Sequence, residues 1–105
     1  MAGVVVGPGE VRSMRRSERR LFRLNDELHR LQHDVELTAG ELEMHRHLDD
    51  DARRDAAVSD SPLDRSEADQ TARDVRRMEA ALRSLRRRIT AIEHRRERLL
   101  SKLGG

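Results

Sequence analysis

Apolar residues return along the first half of the chain on alternating steps of three and four. Met14, Leu21, Leu24, Leu28, Leu31, Val35 and Leu42 mark the stronger positions, and Thr38, His45, Asp49, Ala52 and Ala56 continue the rhythm with weaker ones. That spacing keeps one narrow face of an α-helix apolar and is the mark of a coiled-coil seam. The second half repeats it: Ala68, Thr71, Val75, Met78, Leu82, Leu85, Ile89, Ile92, Leu99 and Leu103 share one seam, interrupted by Arg96.

Between the seams lies Val58-Ser59-Asp60-Ser61-Pro62-Leu63-Asp64-Arg65-Ser66. Proline lacks the N–H a helix interior needs but suits a helix's first turn. Ser61 is then the expected N-cap, with Asp64 three residues on as a capping-box variant. The pattern predicts an all-α fold: a long antiparallel two-helix coiled-coil hairpin. Residues 1–10, rich in glycine, are expected to form a flexible tail. Helix 1 should run over about 11–58, the turn over 59–61 and helix 2 over about 62–103, with 104–105 as a C-terminal cap. At ~1.5 Å per residue, each helix would be roughly 60–70 Å long.

If the chain doubles back near residue 60, facing residues carry numbers that add to about 121. Leu21 then meets Leu99 and Leu100, Leu28 and Leu31 meet Ile92 and Ile89, Val35 meets Leu85, and Leu42 meets Met78. Near the turn, Ala52 and Ala56 meet Ala68 and its neighbours. The open end should be well packed and the tip thin.

Composition agrees with long helices and a narrow seam. The chain has 105 residues, 40% charged and 35% hydrophobic, a net charge of +2, and a single aromatic, Phe22. A round core of this length would bury several aromatic rings. The absence of cysteine excludes disulfides and thiolate metal sites. No apolar run approaches the roughly 20 residues that span a bilayer, and the first ten residues lack the charged segment of a signal peptide. The expected compartment is the cytoplasm. Lys102 is the only lysine among 22 basic residues, which we read as the base composition of a GC-rich bacterial genome.

Charge is unevenly spread. Residues 41–75, flanking the turn, hold 11 Asp/Glu and 5 Arg, whereas the rest of the chain holds 17 Arg/Lys and 9 Asp/Glu. The hairpin therefore has an acidic tip and a basic open end, the latter carrying Arg15, Arg16, Arg19, Arg20, Arg95 and Arg98. Such flanks serve solvation, or they steer a charged partner such as nucleic acid. No aromatic side chains interleave these arginines, which argues against base stacking.

Little points to catalysis or metal chemistry. His29 and His33 share a helix face at a spacing that suits zinc, but position 30 is arginine where the zinc-protease motif needs glutamate, and no third ligand is near in sequence. Asp49, Asp50 and Asp51 are spread around the helix rather than caged in a loop. The serines lack a positioned base, and a two-helix hairpin has no concave pocket of ligand size. No enzyme, cofactor or metal site and no small-molecule substrate is expected. A second apolar stripe on helix 1 runs through Phe22, Leu37, Met44 and Leu48. Pairing two hairpins into a four-helix bundle, or docking a protein partner, would bury it.

The segment Ser61-Pro62-Leu63-Asp64-Arg65-Ser66 resembles the coiled-coil tip of the DksA/TraR family, which shares with the Gre transcript-cleavage factors a long antiparallel hairpin with acidic tip residues. The resemblance implies insertion of the tip into the secondary channel of bacterial RNA polymerase, toward the catalytic magnesium. On it, Asp64 matches the second tip aspartate, Ser61 stands where the first would be beside Asp60, and Ser66 stands where alanine is usual. The cysteines of the family's zinc module are missing.

Three functions are therefore weighed. The first is a non-enzymatic interaction or scaffold module that binds a protein partner or itself as a homodimer through Phe22, Leu37, Met44 and Leu48. The second is a transcription regulator whose Asp60, Asp64 and Arg65 tip enters RNA polymerase. The third is a nucleic-acid binder using the arginine-rich end.

Overall fold

The computed structural model describes residues 8–104, and the side chains of 15–104. Two helices make it up: α1, Pro8–Ser59, and α2, Pro62–Gly104. They pack antiparallel along their lengths into a rod of 85 × 17 × 14 Å. Among the described residues there is no strand, and no helix is long and apolar enough to cross a membrane.

Helix 1 starts earlier than its seam predicts. The expected tail over 1–10 is cut short at Pro8, whose fixed φ and missing N–H suit a first helical position; residues 1–7 lie outside the described residues. Likewise α2 runs through Gly104, one residue beyond its expected end.

Every third and fourth residue of α1 from Leu21 to Ala56 is buried or half-buried, and so is every such residue of α2 from Ala68 to Leu99. Leu28, Leu31 and Ile92 form one core cluster, packed against Leu24, Leu85 and Ile89. Leu42, Val75 and Leu82 form a second, packed against Val35, Ala39 and Met78. The expected meeting of Leu28 and Leu31 with Ile92 and Ile89 holds, as does that of Leu42 with Met78. Polar contacts give the same register: the Thr71 hydroxyl lies 2.9 Å from Asp49 Oδ1 and 3.0 Å from the Ala68 carbonyl, its one proton serving one of them at a time, and Arg96 donates to Asn25 Oδ1 at 3.3 Å. The two pairs across the hairpin total 120 and 121, against the 121 expected.

The open end departs from expectation in two places. Leu99 enters the seam, but Leu100 is 46% exposed and Leu103 38% exposed. Leu100 follows a seam position and so turns outward. Leu103 is level with Ser17 and Glu18 in this register, and neither offers an apolar partner.

The turn is built differently from the expected capping box. Asp60 takes a left-handed conformation, φ 50°, and its N–H donates to the Ala56 carbonyl at 3.3 Å. That single bond closes α1 as an αL cap, for which the short polar side chain of aspartate is better suited than most. Ser59, rather than Ser61, supplies the hydroxyl. It accepts from the Ser61 N–H at 3.4 Å and lies within bonding reach of the Asp55 carbonyl and the Asp64 carboxylate. Its one proton serves one of those two acceptors at a time. Arg65 donates back to Asp60, to the carboxylate at 2.5 Å and to the carbonyl at 3.3 Å.

Candidate functional site

Three surfaces stand out on the rod: the tip, the apolar flank of α1 and the basic open end.

At the tip, the three residues singled out from sequence are brought together, and each carboxylate already has a partner. Asp60 accepts from Arg65, and Asp64 from Ser59. Beside them stand two apolar side chains outside the expected tip set, Val58 at 88% exposure and Leu63 at 75%. Their signal was available: both lie off the seam, two places after seam positions, next to the turn.

Just below the tip, the aspartate run divides. Asp50 and Asp51 are exposed and lie near Arg53 and Arg54, at 3.6 and 2.9 Å. Asp49 is 3% exposed and sits in the seam, where it accepts from the Arg53 guanidinium as well as from Thr71. A buried carboxylate needs such donors to offset its lost hydration. It is the one buried charged group among the described residues.

The four stripe residues are all exposed, from 50% at Leu48 to 66% at Phe22. They do not form one row. Leu37 and Met44 each follow a seam residue by two places, Leu48 precedes one, and these positions share a flank. Phe22 follows a seam residue by one place and lies on the opposite shoulder of α1. A straight 3.6-residue helix already separates Phe22 and Leu37 by about 60°, and the seven-residue repeat drifts by about 20° per heptad against it, adding about 40°, so the stripe crosses from one flank to the other between them.

At the open end, Arg20, Arg95, Arg98 and Lys102 surround a shallow groove floored by Leu24 and Leu99. Arg15, Arg16 and Arg19 are exposed on α1 nearby in sequence, so half of the expected basic set is drawn around one feature. Arg88 reaches Glu27 across the hairpin at 3.8 Å. Among the described residues, no group of three or more His, Cys, Asp or Glu is placed to hold a metal ion. His29, His33 and His47 are exposed, and His45 is half-buried on the seam.

Comparison with protein-family models, curated proteins and solved structures finds no match to this chain.

Proposed function

We propose that the chain is a non-enzymatic coiled-coil interaction module of the cytoplasm, a stiff hairpin rod that binds a protein partner along its side. One observation carries this reading. The seam is filled by its own two helices, yet Leu37, Met44 and Leu48 remain half exposed in mid-rod. Large apolar side chains clustered on one flank of a thin rod cost hydration until something covers them.

The tip supports a second reading, docking into a deep channel such as that of RNA polymerase. Its support is the ordered turn with Val58 and Leu63 standing out beside Asp60 and Asp64. It ranks second because both carboxylates already bond within the turn.

One experiment separates them. A photo-crosslinking residue is placed at Met44, at Leu63 or at Arg83, an exposed site on α2, and the chain is irradiated in its native cell. The side-binding reading expects protein adducts at position 44 well above those at 83. Adducts to polymerase confined to position 63 favour the tip, and no excess at 44 defeats side binding.

A further inference from the structure

The exposed columns of the rod point to what covers its flank. On α1, steps of seven along the row of Leu37 and Met44 give Arg23, Arg30, Leu37, Met44 and Asp51. On α2, the residues immediately before the seam give Glu67, Asp74, Ala81, Arg88 and Arg95 at the same step. Asp74 is half-buried and the other nine are exposed. The two columns lie on the same flank: Arg88 reaches Glu27, and Arg95 shares a groove with Arg20. Glu27 and Arg20 precede seam residues of α1 as Leu48 does, and the Leu37 row is the next one outward.

Because the helices run in opposite directions, both columns read alike along the rod. Each is basic toward the open end, uncharged in the middle and acidic toward the tip. Their midpoints fall at one level: the first lies between Leu37 and Met44, and the second is Ala81, which the register sets opposite Ala39 and Gly40. The α1 column faces away from the seam, so the seam does not require its charge order; the α2 column borders the seam, where Arg88 pairs with Glu27 and Asp74 with Arg77.

We infer that the partner is a second copy of this chain, packed antiparallel on this flank about a twofold axis that passes near Gly40 and Ala81. This rests on the side-binding reading and gives it an occupant. A twofold interface places one patch against itself reversed. Reversal sets Leu37 against Met44 of the second copy, Arg30 against its Asp51, Asp74 against its Arg88, Glu67 against its Arg95, and Ala81 against its Ala81. Each charged contact occurs twice. A parallel pair would instead bring columns of the same sign together toward both ends. A Cβ built on Gly40 meets nothing within 4 Å, so the face is open at the axis. The columns span about 42 Å at 1.5 Å per residue. Over a rod 17 Å wide that is roughly 700 Å² per copy, close to the ~800 Å² of a standard stable interface. The row between the two columns, which runs through Glu27, Asp34, Glu41, Leu48 and Asp55, sets Glu41 against itself and Glu27 against Asp55 of the second copy, and those are the like-charged contacts such a dimer must tolerate.

Sedimentation equilibrium over a range of concentrations tests the dimer, and introduced cysteines test its direction, since the chain has no native cysteine. The wild type should dimerise. Leu37→Glu with Met44→Glu should weaken it by about tenfold or more, with circular dichroism reporting intact helices. Arg30→Asp and Asp51→Arg should each weaken it, and the two together should restore it. Ala81→Cys should form disulfide-linked dimers under mild oxidation and Leu63→Cys, at the distant tip, should not. A wild type monomeric at every concentration overturns the inference, as does a dimer linked through Cys at 63 but not at 81. If that monomer still gave adducts to another protein at position 44, side binding would survive without self-pairing. Loss of both would end both.

Discussion

The open-end half of the hairpin and the half beneath the tip are held in register by different physics. From Leu24 to Leu42, α1 meets leucine, isoleucine, valine and methionine, and both core clusters lie in this stretch. From Asp49 to the turn, the facing residues are Ala52, Ala56, Ala68 and Thr71, and a carboxylate, that of Asp49, is as buried as Leu28 and Leu31. Apolar volume in the first half supplies free energy but specifies register loosely, because neighbouring heptads offer similar knobs and holes. The polar layer in the second half supplies little net energy. It does penalise slippage, because a shift by one heptad strips Asp49 of Thr71 and leaves a buried carboxylate short of a donor. Strength and specificity thus sit at opposite ends of the rod.

The largest effect should come from truncating the strong half. Leu28→Ala or Ile92→Ala leaves a hole in a cluster that has no third helix to close it, at a cost of about 2–5 kcal/mol. Measured by urea denaturation followed at 222 nm, either change should remove most of the stability of so small a core. Truncation of Ala52 to glycine, in the weak half, should cost only about 1 kcal/mol through helix propensity. Equal losses at the two sites would erase the contrast.

Next comes the polar layer. Thr71→Val keeps the shape but removes the hydroxyl donor, leaving Asp49 with Arg53 alone. The expected loss is about 1–3 kcal/mol. The paired change Asp49→Leu with Thr71→Leu should recover that loss while letting register wander, visible as doubled amide signals in NMR spectra. A single set of signals in the double variant would show that the apolar half alone fixes alignment.

What could be read without the structure follows the same division. The seam at Leu28, Leu31, Leu42, Ile89 and Ile92 was legible because apolar packing is periodic, and the register because Pro62 limits where the chain turns. Its spacing makes Asp49 a weak seam position, and its neighbours Asp50 and Asp51 make it look like part of a solvated acidic run. Its burial depends on Thr71, twenty-two residues away in sequence, which no local pattern reports. The flank holding Leu37, Met44 and Leu48 is legible as apolar, but a straight-helix projection brings Phe22 too close to them because it ignores supercoiling. Ser61 precedes Pro62 and so reads as the cap, but the hydroxyl that bonds in the turn is that of Ser59, brought to the Asp64 carboxylate where Asp60 turns left-handed, an arrangement made by the meeting of two helices rather than by either alone.

The smallest effect belongs to the turn itself. Asp60 holds φ 50° and closes α1 through its own N–H. Its side chain is 90% exposed, so the contact with Arg65 is heavily screened by water and contributes little. The backbone conformation is what matters. Asp60→Val puts a β-branched residue where L-residues are strained and should cost about 1–2 kcal/mol. Asp60→Gly relieves that strain while surrendering the Arg65 contact, so its stability should stay within about 0.5 kcal/mol of wild type. If the two halves are distinct, the valine variant should speed amide hydrogen exchange near Ala52, Ala56 and Ala68 while leaving Leu28 and Ile92 protected. Exchange that rose equally at both ends would mean the rod unfolds as one unit, with the turn as tightly coupled to the leucine half as to the polar layer beside it.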